Sequence, residues 1–310
     1  MDTQEQEQRM GIFYAGFAYV LWGFLPIYWK LLNDILAYEI LANRVFWSLL
    51  FILVFLVLSK KWGVFIQTFR GLAKKPRQLL ALTAASLLIS TNWFFYIWAV
   101  NTNQMVEASL GYYINPLVSV LLGMIFLKER LSKAQYISFV LAGIGVLILT
   151  ISYGKFPWIA VTLAASFGLY GLAKKLIRVD SAIGLALETM VVMPIAIGYM
   201  AFLFYKGTNS FMSLSITTDL LLIGAGAATA VPLLYFSKGA QRIPLSMLGF
   251  LQYIAPTIML ILGIFVFHES FSKLHLLSFT FIWGALTLYS LSRTKLATGW
   301  HLKRKKGLEM

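Results

Sequence analysis

The chain has 310 residues, of which 59% are hydrophobic and only 12% charged, and it contains no cysteine. Soluble domains carry about 25% charged residues, so a chain this apolar needs lipid around most of its surface. The formal net charge of +14 does not indicate nucleic-acid binding, because the basic residues lie in short loops between apolar stretches and form no recognition motif. The lack of cysteine excludes disulfides, thiolate metal sites and cysteine nucleophiles.

Ten apolar stretches follow one another along the sequence, and most have the roughly 20 residues that a helix needs to cross a bilayer. They are residues 11–31, 37–58, 79–100, 106–127, 132–151, 156–173, 182–205, 219–238, 245–267 and 274–292. Continuous apolar runs favour helices over the alternating strands of a membrane barrel. The first stretch exceeds the core of a cleavable signal, so we expect it to remain as the first span. The sequence therefore predicts an all-α integral membrane protein with ten transmembrane helices.

Basic residues are distributed very unequally between the two sides of this arrangement. If the N-terminus is cytoplasmic, 21 lysines and arginines lie in cytoplasmic segments and only four lie outside. Cytoplasmic loops of membrane proteins carry such an excess. We therefore predict a multi-pass protein of the plasma membrane with both termini in the cytoplasm.

One segment of the sequence occurs twice, 140 positions apart: residues 113–139 and 253–279 share ten identities. The chain accordingly divides into two repeats, 11–151 and 156–292, with five spans each. Because five is an odd number, the second repeat enters the membrane inverted relative to the first. Inverted repeats are a common build of secondary transporters, which bind their substrate between the two halves.

Two prolines inside spans occupy equivalent positions in the two repeats, Pro116 and Pro256. A proline inside a helix removes one hydrogen bond and tends to bend the helix. We predict that both residues are hinges that line a shared cavity. General bundle geometry is the alternative, because neighbouring helices can satisfy the freed carbonyl.

Few ionisable residues lie at membrane depth. Arg44 lies about two turns into the second span, Glu39 lies near its outer end, and Glu107 opens the fourth span. Such groups are costly in a membrane and usually face a cavity or a partner. Glu39 and Arg44 are about 140° apart around the helix, so Glu107 is the better counter-charge for Arg44. A structural ion pair and a gate or proton-binding site both remain open.

Polar and aromatic residues share faces on several spans, as Tyr112 and Asn115 do on the fourth. Aromatic rings at mid-depth beside amide and hydroxyl groups indicate a wet pocket for a small molecule, with hydrogen bonding between helices as the alternative. The predicted substrate-binding residues are Trp22, Asn92, Tyr96, Tyr112, Asn115, Ser166, Tyr170 and Gln252.

Enzyme signatures are missing from the sequence. His268-Glu269 is not followed by a second histidine at helical spacing, and there is neither a phosphate-binding loop nor a nucleophile elbow. We therefore expect a protein that is not an enzyme and has no catalytic residues, no metal site and no cofactor.

Two longer motifs, Asn92–Asn101 (NWFFYIWAVN) and Glu107–Leu117 (EASLGYYINPL), accompany Trp22-Gly23 in span one and Arg44 in span two. With these residues the chain resembles the EamA branch of the drug/metabolite transporter superfamily, and more narrowly RarD-type permeases, over nearly its whole length. The resemblance implies ten helices in two inverted five-helix repeats. It also implies a central pocket lined mainly by spans one, three, four, six, eight and nine.

These features together predict a permease, a secondary transporter that moves a small organic solute by alternating access at a central pocket. The predicted lining suits an amphipathic or aromatic solute, and the resemblance implies an amino-acid-like or drug-like one. The expected partners are this solute and the lipid bilayer, without nucleic acid, and the expected state is a monomer or a loose homodimer. The alternatives are a non-transporting membrane scaffold or sensor and a lipid flippase-like activity.

Overall fold

The computed structural model describes residues 3–72, 74–102, 104–177, 179–266 and 272–292. Its helices are α1 (Thr3–Lys30), α2 (Ala37–Leu58), α3 (Trp62–Leu72), α4 (Pro76–Asn101), α5 (Met105–Phe126), α6 (Lys133–Tyr153), α7 (Trp158–Leu176), α8 (Ser181–Lys206), α9 (Ile216–Ala240), α10 (Leu245–Gln252), α11 (Ile254–Phe265) and α12 (Lys273–Ser292). In these ranges, ten helical segments are long and apolar enough to cross a membrane. The predicted all-α membrane protein with ten spans is confirmed.

The spans follow the helices in order, except that α10 and α11 together form span nine and α3 forms none. The segment 267–271, which contains the His268-Glu269 pair, lies outside the described residues.

The first helix begins eight residues earlier than the predicted span at residue 11. Its added turns are polar, and Arg9 donates a hydrogen bond to Glu5 at 2.9 Å, one helical turn away. Pairs at this spacing stabilise exposed helix. The hydrophobicity of a span therefore marks where the membrane begins, whereas the helix itself continues into the aqueous phase.

A short helix that we did not predict, α3, occupies the basic loop between spans two and three. It has 11 residues, too few to cross a bilayer. One face is buried through Phe65 and Leu72, while Trp62 and Phe69 remain exposed. A short amphipathic helix with exposed aromatic rings next to basic residues is typical of an element that lies along the membrane surface.

Span nine is interrupted at Tyr253, between α10 and α11. The cause is Pro256, which has no N–H group to donate and whose ring clashes with the carbonyl four residues earlier, that of Gln252. Helix α5, by contrast, runs without interruption through Pro116. A bend at Pro116 therefore stays a prediction, whereas Pro256 has a visible effect on its helix.

Packing between the halves follows the repeat. Spans two and seven (α2 and α8), four and nine (α5 and α10), and five and ten (α6 and α12) each pack on one another. The hydroxyl of Tyr253 donates to the carbonyl of Tyr113, its counterpart in the first repeat, at 3.3 Å. The main buried core lies between the halves and includes Ile52 and Phe236. Two repeats related by a two-fold axis would pack in this way; their inversion in the membrane stays a prediction.

Polar contacts join the halves on the predicted cytoplasmic side. Lys61, after span two, contacts Asp180 at 2.5 Å, and Asp180 also caps α8 by accepting from the N–H of Ala182. Burial alone would raise the pKa of the Asp180 carboxyl, but the hydrogen bonds and the charge of Lys61 outweigh this effect and hold the pKa below its ordinary value. Asp180 therefore stays ionised and paired near neutral pH.

Candidate functional site

A cavity of about 140 Å³ lies between the two halves. Its lining comes from spans one, three, four, six, eight and nine, the spans that the family resemblance implies, and from Arg44 of span two. The walls are mostly aromatic and aliphatic, with polar groups at a few points, which is the usual character of a small-molecule site.

Six of the eight predicted binding residues line this cavity: Trp22, Asn92, Tyr96, Tyr112, Asn115 and Gln252. Tyr96 and Tyr112 meet edge to face with their ring centroids 6.1 Å apart. Pro256, the predicted hinge of span nine, lies in the same wall, whereas Pro116 does not border the cavity. The structure therefore brings together most of the residues that we predicted from their depth and chemistry.

Ser166 lies behind the cavity wall. The side-chain amide of Asn92 donates to the hydroxyl of Ser166 at 3.0 Å and to the carbonyl of Leu163 at 2.8 Å. These two bonds fix the orientation of the Asn92 amide. In this arrangement Ser166 positions a lining residue and does not face the cavity itself.

Tyr170 is fully buried below the cavity, in a group of five rings that we call the aromatic floor. The floor consists of Tyr19, Trp22, Phe167, Tyr170 and Phe236. Ring centroids of contacting members lie 5.3–6.1 Å apart, a normal spacing for packed aromatic pairs. These rings come from α1 in the first half and from α7 and α9 in the second, so the floor joins the two halves at this end of the cavity.

An ion pair that we did not predict lies beneath the floor. The Nζ atom of Lys174 lies 2.8 Å from Glu188, and both side chains are almost completely buried. The hydroxyl of Tyr170 donates to the same carboxylate at 3.3 Å. The sequence contained a partial signal for a buried Lys174, because this residue lies one helical turn beyond Tyr170 on the same face of α7.

The predicted ion pair between Arg44 and Glu107 is not formed, so this expectation was wrong. Arg44 donates from Nε to the hydroxyl of Thr229 at 2.9 Å. Its guanidinium lies over the rings of Trp29 and Trp93, 4.6 and 5.2 Å from their centroids. The arginine is thus held by a hydroxyl and two indole faces instead of a carboxylate.

Glu107 is buried at the start of helix α7 instead of facing Arg44. Its carboxylate accepts from the backbone N–H of Ile159 and from the hydroxyl of Tyr153, both at 2.7 Å. The first N–H groups of a helix have no partner within the helix and carry partial positive charge, so they attract a carboxylate. Glu39 likewise accepts from the backbone and hydroxyl of Ser210, in the loop before α9. Both glutamates hold connections between elements together.

Three polar atoms of the cavity lining are buried without a protein partner among the described residues: the hydroxyl oxygen of Tyr19, Oδ1 of Asn115 and Nε2 of Gln252. The other end of the Gln252 amide accepts from Ser119 at 3.2 Å. A buried amide group without a partner is costly, and such groups are rare unless water or a ligand completes them. The amide groups of Asn115 and Gln252 can therefore bond to water or to a ligand at the cavity wall.

Comparisons with known proteins agree with this architecture. Residues 9–151 match the model of the EamA-like transporter family. The chain is 49% identical to the uncharacterized transporter YojE of Bacillus subtilis, over 94% of this chain and 97% of the relative. It is 41% identical to the protein RarD of Escherichia coli, over 92% and 95% of the two chains.

One solved structure, described only as the crystal structure of a protein, has the same fold. It matches with a TM-score of 0.68 at 19% identity, over 91% of this chain and 97% of the other. Together with the identities to YojE and RarD over most of the sequence, the family match shows that the chain belongs to the EamA-like transporter family, as a multi-pass membrane transporter of the RarD type.

Proposed function

We propose that the chain is a secondary transporter of the cell membrane that moves a small, amphipathic or aromatic organic solute by alternating access. The observation that carries this proposal is the aromatic cavity between the halves, with unpartnered amide atoms in its wall. Rings such as Trp22 and Tyr112 can pack on the apolar part of a solute, while Asn115 and Gln252 bond its polar part. The bilayer surrounds the protein, which acts as a monomer or a loose homodimer.

The position of the aromatic floor supports alternating access. The cavity extends to Trp29, Ala108 and Met259, which lie in the halves of their spans that we predict to face outward. The floor and the Lys174–Glu188 pair lie on the predicted cytoplasmic side of the cavity. If the halves rock against each other, the floor rings separate and the cavity opens inward. A scaffold or sensor would need no such movement, and a flippase would move lipid headgroups instead of a soluble solute.

Substitutions in the cavity wall test the solute site. Comparing metabolites inside and outside cells with and without the protein identifies a transported solute. For that solute, we expect Tyr112→Ala and Asn115→Ala each to lower affinity roughly tenfold, the effect of losing one well-placed contact. Expression should be unchanged. The measurement is the concentration dependence of uptake into proteoliposomes.

The matched control for the cavity substitutions is Tyr136→Ala, which removes an exposed tyrosine from α6, away from the cavity. It should transport like the wild type. Unchanged transport by a triple variant with alanine at Tyr112, Asn115 and Gln252 would show that the solute binds elsewhere.

The proposed orientation predicts which loops an impermeant thiol reagent can reach. Because the chain has no cysteine, a single introduced cysteine is labelled without background. Cysteine in place of exposed Lys74 should react only from the cytoplasm, and cysteine in place of exposed Thr208 only from outside. Labelling of the Lys74→Cys variant from outside intact cells would show that all ten spans have the opposite orientation.

A further inference from the structure

Arg44 gives the cavity an unbalanced positive charge. Within the part of the chain that the structure describes, the cavity lining contains this one charged side chain and no aspartate or glutamate. The four ion pairs found among the described residues do not include Arg44. Its side chain is half-buried and borders the cavity. A cation without a counter-charge therefore lies where a solute would bind.

Most hydrogen-bond donors of Arg44 are available to a ligand. A guanidinium has five N–H donors, and here Nε donates to Thr229. The other four have no acceptor among the described residues. The indole rings of Trp29 and Trp93 lie against the guanidinium and offset part of the cost of the buried charge. The rings supply no acceptor in the plane of the guanidinium N–H groups. A carboxylate can occupy this plane and accept two parallel hydrogen bonds.

We infer that the cavity selects a monovalent organic anion, a carboxylate on a planar apolar body, and that Arg44 binds its carboxylate. This inference rests on the proposed function and names its substrate class. The single positive charge matches a single negative charge, because a second anionic group would be buried without a partner. The surrounding rings and aliphatic side chains accept the apolar body. A cationic solute is excluded, because it would place two like charges in a site of low dielectric constant.

Arg44 also connects the halves through its bond to Thr229, so a purely structural role must be separated from recognition. The test uses three probes of the same shape, 3-phenylpropionate, 3-phenylpropionamide and 3-phenylpropylamine. Their binding to the full-length protein in nanodiscs is measured by equilibrium dialysis. We expect the anion to bind roughly 30-fold more tightly than the neutral amide, because it gains a pair of charge-assisted hydrogen bonds. The amine should bind most weakly of the three.

The variant Arg44→Gln keeps a polar side chain and removes the charge. We expect it to lose the preference, so that the anion and the amide bind within about threefold of each other, whereas Arg44→Lys retains part of the preference. The control Arg70→Gln removes a charge from exposed α3 and should bind like the wild type. A structural role alone would weaken all three probes equally and leave the preference unchanged.

Two outcomes overturn the inference. One is wild-type binding of the anion that is no tighter than binding of the amide or the amine, and the other is a preference that survives in Arg44→Gln. The variant Asn115→Trp, which fills the cavity, separates this failure from a failure of the proposed function. If the wild type binds the probes without preferring the anion and Asn115→Trp abolishes this binding, the cavity remains the solute site and only the substrate class is wrong. If Asn115→Trp still binds the probes and still prefers the anion, the cavity is not the site and both proposals are wrong.

Discussion

Replacing Glu188 with alanine is expected to lower the free energy of unfolding by about 3–5 kcal/mol, because it leaves a buried cation without its partner. The side chain of Lys174 is only 2% exposed, and its Nζ lies 2.8 Å from the Glu188 carboxylate. Tyr170 would also lose its acceptor. The free energy is measured by unfolding the purified protein in mixed micelles with increasing dodecyl sulfate, followed by tryptophan fluorescence.

The control for this prediction removes both charges at once. A double variant with Lys174→Met and Glu188→Leu replaces the pair with apolar side chains of similar size, which is often neutral or stabilising. It should be more stable than Glu188→Ala, because it leaves no unpaired charge and only the Tyr170 hydroxyl loses its partner. If Glu188→Ala is as stable as this double variant, Lys174 and Glu188 are not energetically coupled, and the pair does not stabilise the region beneath the aromatic floor.

The variant Gly226→Ala is expected to lose about 3 kcal/mol of stability, because the added methyl group overpacks a contact between the halves. A Cβ atom at position 226 would lie 2.4 Å from the carbonyl carbon of Trp47 and 2.5 Å from its Cβ. Backbone atoms cannot turn away as a long side chain can, so α2 and α9 must move apart. The hydroxyl of Ser48 also donates to the carbonyl of Gly226 at 3.1 Å, a bond that this movement lengthens.

The variant Gly143→Ala is the matched control, with the same substitution in another span. A Cβ atom at Gly143 meets no other atom within 4 Å. Alanine there should stabilise the helix by up to about 1 kcal/mol, because glycine is the poorer helix former. The comparison uses the same unfolding assay. Equal effects of the two substitutions would mean that α2 and α9 do not approach as closely at Gly226 as the structure shows.

The sequence predicted those features that depend on hydrophobicity along a single helix. The ten spans could be read directly, because crossing a bilayer requires a long apolar run. Residues such as Tyr112 and Asn115 could be placed in the cavity because a polar group at mid-depth needs a wet or polar neighbour. The short helix α3 gave no such signal, since it lies along a surface and spans nothing.

Contacts between distant elements could not be predicted in this way. Glu107 binds the backbone N–H of Ile159, a donor that exists only because α7 begins there, so no pairing of charges in the sequence would find it. On α7 we expected Ser166 and Tyr170 to face the cavity, but its wall contains Leu163 and Phe167. The two pairs are offset by three residues, which separates their faces by about 60° around the helix. The polar face instead bonds to neighbouring helices.

The central claim, that the cavity is a solute site open alternately to each side, is tested most directly by the variant Asn115→Cys in this cysteine-free chain. An impermeant thiol reagent should reach it both from outside, in intact cells, and from inside, in inverted vesicles. Modification from either side should stop transport. A cysteine at Ser119, one turn away and fully buried, should react from neither side. Reaction of Asn115→Cys from one side only, or full transport after modification, would contradict the account.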